Sequence, residues 1–176
     1  MRAEEINFSE VEDDTRDRNH INVPALAGTN TQGGNNWRGY KGAWFEVKYP
    51  ATFQVHPSQR SSSAGGYDSV FFTAPDGSVE FYVFSPQWNG EPNDVEINSR
   101  NEVLVSQSSD KRGSTTVRRV TVKARDNSYT RSFEDTADSA TNTRKVFGIK
   151  YRNQDAYSRN RQSYLTFKQS LRQFAD

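Results

Sequence analysis

The residues able to do chemistry in this chain are few and scattered. There are two histidines, His20 and His56, and no cysteine. A zinc site built on His56 needs further Asp or Glu ligands, since zinc takes four. No such set stands at ligand spacing, so His56, just before Pro57, reads as an exposed or hydrogen-bonded strand-end residue. The absence of cysteine excludes a disulfide framework, a thiol nucleophile and Cys-ligated metal. Serines are plentiful, but no Gly-x-Ser-x-Gly elbow presents one as a nucleophile. Phosphate-cradling and dinucleotide glycine patterns are absent. Acidic groups cluster twice, as Glu10, Glu12, Asp13 and Asp14, and as Glu134, Asp135 and Asp138. The second cluster falls in "EDTADSATN", read as a loop. A hard cation needs six or more oxygens, so solvated acid is the better reading. Neither a metal nor a cofactor is expected.

More promising are the aromatic and basic residues. Trp37, Tyr40 and Trp44 stand close in sequence, and Trp88 lies in a long polar connection. Aromatics beside Asn and Arg suit protein recognition or sugar stacking, although Trp44 reads better as cover for a sheet face. Arg118, Arg119, Lys123, Arg125 and Arg131 offer a basic patch, with Tyr129 as a stacking group for single-stranded nucleic acid. On a strand, however, Arg118 and Arg119 point to opposite faces. The binding candidates are therefore Trp37, Tyr40, Trp88, Arg119 and Lys123, with no catalytic residue. Net charge is +1 over 176 residues. It hides an imbalance: residues 110–176 carry fifteen Lys/Arg against seven Asp/Glu, about +8, and residues 1–36 carry three against seven. A basic face favours anionic partners, but alternating Lys/Arg along strands and a helix is ordinary solvated surface.

These side chains need elements to hold them. Hydrophobic residues make up 32% of the chain and aromatics 12%, with 11 Phe and 8 Tyr. The core is thus built from few, large side chains, each burying roughly 150–250 Å². Residues 1–36 are acidic, then Gly-rich and polar. They cannot offset chain entropy by burial and read as a disordered tail or linker, with weak support for a short helix at Ile6–Val11. Met1 stands before this polar stretch, as though replacing a removed export signal. The ordered part begins near Trp37. Trp44–Tyr49 and Thr52–His56 read as strands joined at Tyr49-Pro50, where the chain turns so that the second runs beside the first. Ser69–Ala74 and Ser78–Phe84 flank Pro75-Asp76-Gly77, a hairpin turn. Apolar residues on both faces of Ser78–Phe84 imply a sheet covered on both sides. Residues 85–101 connect, with one helical turn from Pro92. Glu102–Ser109, Thr115–Ala124, Ser128–Glu134 and Arg144–Tyr151 follow as an antiparallel meander. Tyr157, Tyr164, Phe167, Leu171 and Phe174, spaced 7, 3, 4 and 3, predict a closing helix capped by Asp155.

Three stretches together resemble the PsbP-like family: "FEVKYPATF" with its Tyr-Pro, the aromatic hairpin "FTAPDGSVEFYVFSP", and "VFGIKYRNQDAYSRNRQSYLTFKQSLRQF". The resemblance covers residues 37–176. It implies an α+β fold, an α/β/α sandwich with a central antiparallel sheet and a C-terminal helix packed on it. It also implies a non-catalytic binding or complex-assembly domain, exported to a periplasm or thylakoid-lumen-like compartment and related to photosystem II. A cytoplasmic location stays open. The expected partner is another protein or complex, with nucleic acid disfavoured, no membrane span, and a monomeric state. The alternative is a small-ligand or carbohydrate groove lined by Trp88 and Tyr82, with Glu80 or Glu91 as acid.

Overall fold

The computed structural model describes residues 36–174. The tail expected over residues 1–36 therefore lies outside the described residues, save Asn36. Ten strands and one helix follow in order: β1 (Trp37–Lys41), β2 (Phe45–Pro50), β3 (Gln54–Pro57), β4 (Ser69–Thr73), β5 (Val79–Phe84), β6 (Glu102–Arg112), β7 (Thr115–Ala124), β8 (Thr130–Asp138), β9 (Thr143–Tyr151), α1 (Gln154–Gln169) and β10 (Arg172–Gln173). They form a three-stranded sheet, β1-β2-β10, and a seven-stranded sheet, β3-β4-β5-β9-β8-β7-β6. Every pairing is antiparallel. The protein is a sheet-rich α+β fold.

Strand alternation decides which side chains meet. Val79, Phe81 and Val83 of β5 face α1, and in register with them stand Phe72 and Val70 of β4 and Ile149 and Phe147 of β9. Phe167 of α1 inserts here, with ring centroids 5.5 Å from Phe72, 5.3 Å from Phe81 and 5.9 Å from Phe147. The small sheet closes the same core. Tyr49 stacks on Phe72 at 4.6 Å, and Tyr40 meets it edge-on at 5.8 Å. The opposite face of the seven-stranded sheet carries no α-helix among the described residues. It is crossed by residues 85–101, with a single 3-10 turn at Asn93–Val95. The two-sided burial expected for β5 is present, and a connecting strap supplies the second cover.

Several boundaries differ from the sequence-based expectation, each for a physical reason. The turn 75–77 forms as expected, with Gly77 at φ 68° and the Asp76 carboxylate accepting from the Ser78 N–H at 3.0 Å. Beyond Tyr49-Pro50, however, β3 does not run beside β2. It pairs with β4 in the other sheet, because the edges of β2 are taken by β1 and β10. The first strand, β1, was not anticipated in "WRGYK", whose alternation is weak. The stretch read as a loop from Glu134 is strand as far as Asp138, paired along β7 and β9. The closing helix is capped by Asn153, whose Oδ1 accepts from the Ala156 N–H at 2.9 Å, and not by Asp155. It stops at Gln169. Ser170 Oγ donates to the Phe167 carbonyl at 2.7 Å and accepts the Lys48 N–H at 2.8 Å, which turns the chain into β10 against β2. Leu171 and Phe174 thus leave the helical stripe.

Two stability outcomes follow. Phe167→Ala should cost about 3–5 kcal/mol, the usual range for a fully buried Phe, read as a lower urea midpoint at unchanged m-value. Asp68 is 6% exposed, with Oδ1 unpartnered. Burial pushes its pKa up, and a Ser61 hydrogen bond only partly opposes this. A carboxyl raised in the folded state favours the protonated form there, so stability is lost as pH rises from the unfolded value through the folded one. Asp68→Asn should accordingly raise Tm near pH 7 by ~2–5 °C, with the gain vanishing below the ordinary aspartate pKa of 3.8. An equal gain at pH 3 and pH 7 would contradict this account.

Candidate functional site

The strap-covered face of the large sheet holds the densest set of polar side chains. Alternation brings Tyr82 and Phe84 of β5, Val146 and Gly148 of β9, and Phe133 of β8 to this face, where Tyr82, Phe84, Phe133 and Val146 pack together and Val95 of the strap rests on them. Gly148 sits at the centre. A Cβ there would come within 2.7 Å of the Phe133 ring, so glycine is what lets that ring lie across β9.

Hydrogen bonds, more than apolar contacts, fasten the strap. Asp94 in the 3-10 turn accepts from Ser58 Oγ at 2.6 Å, Ser69 Oγ at 2.6 Å and the Tyr82 hydroxyl at 3.2 Å. Burial, followed by the Asp94 charge, pushes the Tyr82 hydroxyl far above its ordinary range, so it stays a donor. Three arginines hold strap carbonyls: Arg144 bonds Gly90 O at 2.6 Å, Arg131 bonds Glu96 O at 2.8 Å, and Arg125 bonds Ser99 O at 3.1 Å. Two of them are backed by carboxylates. Asp135 grips Arg144 at 2.9 and 2.7 Å, and this fork raises the arginine's pKa. Glu102, buried at 4% exposure, takes Arg131 at 2.7 Å, the Tyr129 hydroxyl at 2.8 Å and the Asn98 N–H at 2.9 Å. Burial alone would raise the Glu102 pKa. The donors from Arg131, Asn98 and Tyr129 outweigh it and leave the pKa lowered. Asp94 and Glu102 are thus committed acceptors, each occupied by three groups, and neither is poised as a free general base.

Two cavities formed by described residues open on this face. One, of about 260 Å³, is lined by Phe71, Glu80, Tyr82, Tyr129, Lys150 and their neighbours. The other, of about 540 Å³, lies between the strap and β7, β8 and β9. Phe133 is shared by both.

The residues singled out from sequence do not converge here. Trp37 and Tyr40 sit half-buried on β1. Tyr40 packs on Phe45 and Phe72, and burial, then Tyr67, raises its hydroxyl pKa. Trp44 bonds Ser63 Oγ through Nε1 at 2.9 Å. Trp88 is 46% exposed on the strap and lines neither cavity. Arg119 points to the helix side of β7 and is ion-paired with Asp110 at 3.3 Å and Glu134 at 3.2 Å. Lys123 lies exposed on that same side. Arg118 faces the strap, as alternation requires, and lines the larger cavity. The acidic cluster Glu134-Asp135 is split by the strand: Glu134 bonds Lys168 of the helix at 3.2 Å, and Asp135 bonds Arg144. Glu80 and Tyr82, candidates for the groove reading, do line the smaller cavity, and Glu91 lines the larger. His56 is exposed on β3, and His20 lies outside the described residues. Sequence reasoning missed Asp94, Glu102 and Gly148. Only Gly148 left a signal, a glycine inside an otherwise bulky strand.

No family model matches the chain. No curated protein matches it. In structure it is similar to the solution structure of cyanobacterial PsbP (CyanoP) from Synechocystis sp. PCC 6803, with a TM-score of 0.48 and 10% identity over 85% of this chain and 99% of that one. The likeness concerns the fold alone.

Asp94→Ala removes the strap's three-hydroxyl anchor. Amide exchange across residues 86–101 should accelerate at least tenfold while β5 and β9 amides keep their protection. Uniform acceleration across the sheet would show instead that Asp94 holds the whole fold.

Proposed function

We propose that the chain is a non-catalytic, protein-binding accessory domain of the PsbP-like kind, spanning residues 37–176, that engages its partner through the outer edge of β6. The carrying observation is that edge. β6 is the last strand of the seven-stranded sheet, eleven residues long and exposed at all but Glu102. Val103, Leu104 and Val105 are 43%, 49% and 51% exposed. Soluble proteins usually blunt such an edge. Here a register irregularity between Leu104 and Ser106 and the charged end Asp110-Lys111-Arg112 limit pairing without removing the apolar segment. An edge of this kind suits strand addition, in which backbone hydrogen bonds give affinity and alternate side chains give selectivity. The partner fitting it is a protein segment with extended, β-branched or leucine-rich sequence. The domain by itself is monomeric in this reading and works in an exported compartment. No helix among the described residues is long and apolar enough to cross a membrane.

The hydrolytic alternative has less support. Glu80 accepts a hydrogen bond from Thr73 Oγ1 at 2.9 Å. The Glu91 side chain is 85% exposed and lies 3.4 Å from Arg144 Nη1, an ion pair at the surface.

A photo-crosslinking amino acid at position 104, in the full chain incubated with extract of the source cells, should give one discrete adduct. Val105→Pro, which disrupts the strand at its register irregularity, should reduce that adduct at least tenfold. A crosslinker at exposed Arg159 on α1 should not give it. An adduct unchanged by Val105→Pro, or none at all, would overturn the edge as the binding surface.

A further inference from the structure

The larger cavity has a composition that its neighbours do not use up. Its floor is apolar: Val120, Phe133 and Val146 from three adjacent strands, 5%, 8% and 0% exposed. Val95 and Ile97 of the strap form the facing wall. Around this apolar space stand five charges. Arg144 is spent on Asp135 and lies 3.4 Å from Glu91. The remaining two are unspent. Neither the Arg118 guanidinium nor the Glu96 carboxylate makes a hydrogen bond or ion pair with another described residue, although both line the cavity. Glu96 is tied to the fold only through its backbone carbonyl, held by Arg131. The cavity volume of about 540 Å³ falls within the ordinary range for small-molecule sites, which combine apolar walls with a few polar groups.

From this inventory we infer that the strap cavity binds a small zwitterion with an apolar body, an apolar amino acid or dipeptide, its carboxylate toward Arg118 and its ammonium group toward Glu96. Charge complementarity selects this occupant. A simple organic anion would satisfy Arg118 but would face Glu96 and the acidic excess of Glu91 and Asp135 over Arg144. A simple cation would leave Arg118 unmatched. A zwitterion answers both, and its apolar portion covers Phe133 and the two valines. The site is separate from the β6 edge, so failure of the edge crosslink leaves it standing, and its own failure leaves the edge reading intact.

The test uses the full chain and two probes, phenylalanine and the dipeptide leucyl-phenylalanine, followed by amide and methyl NMR. At least one should produce saturable shifts at Val120, Val146 and Ile97 at millimolar concentration or below. Whichever binds identifies the source as free amino acid or peptide. Arg118→Gln and Glu96→Gln should each weaken that binding about tenfold or more, the loss expected for one charged hydrogen bond. Both positions are exposed, so both variants should keep the fold, checked by the unchanged remainder of the spectrum. Lys123→Gln, on the other face of β7, should leave affinity unchanged. N-acetylphenylalanine, lacking the ammonium charge, and phenylalaninamide, lacking the carboxylate, should each bind correspondingly less well. No saturable shift with either probe, shifts outside the cavity, or binding indifferent to both charge-removing variants would overturn the inference.

Discussion

Phe167 stands where the layers meet. Its ring touches Phe72 and Phe81 of the large sheet, Phe147 on the next strand over, and Tyr164 on its own helix. Phe72 in turn carries Tyr40 and Tyr49 of the small sheet. One aromatic cluster thus fixes the helix to the large sheet and the small sheet to both. Its stabilising force is mainly the removal of large apolar area from water, with a smaller gain from edge-on and offset ring geometry. A chain only 32% hydrophobic can hold a fold this way because each ring covers so much. The helix end adds direction. Ser170 bonds both its own helix and β2, and Gln173 of β10 reaches Ser85 Oγ at 2.9 Å and the Arg144 carbonyl at 3.2 Å.

The two faces of the large sheet are held by different physics. The helix side is sealed by rings. The strap side is fastened by a carboxylate among three hydroxyls and by arginines on backbone carbonyls, around a small apolar cluster. A hydrogen bond is worth only about 0.5–1.5 kcal/mol net, so the strap belongs among the less stable parts of the fold. It is also where the cavities lie. Low local stability and open clefts go together here, because a cover pinned at points leaves gaps between the pins.

The β6 edge poses a separate problem. A long exposed strand bearing Val103, Leu104 and Val105 invites pairing, and the chain retains it. The irregularity at Leu104/Ser106 and the charged tip restrict what can add there. Such restriction without removal is what a selective binding edge requires.

Much of the architecture is legible in local sequence. The Pro75-Asp76-Gly77 hairpin, the meander from β6 to β9, the opposed faces of Arg118 and Arg119, and the apolar stripe through Tyr164 and Phe167 all follow from periods of 2.0 and 3.6 and from turn chemistry, which act over a few neighbouring residues. Other features were decided only when distant segments met. The helix stops at Gln169 because β2, over a hundred residues earlier, offers an edge and the Lys48 N–H. Tyr49-Pro50 sends β3 to the other sheet because β2's neighbours are already taken. Asp94 and Glu102 become anchors, and Arg119 an ion-paired group, through partners up to 36 positions away. Sequence by itself determined which side chains alternate and where the chain bends. Tertiary structure alone decided which charges are used up and which remain, because pairing depends on proximity in space and no local period encodes it.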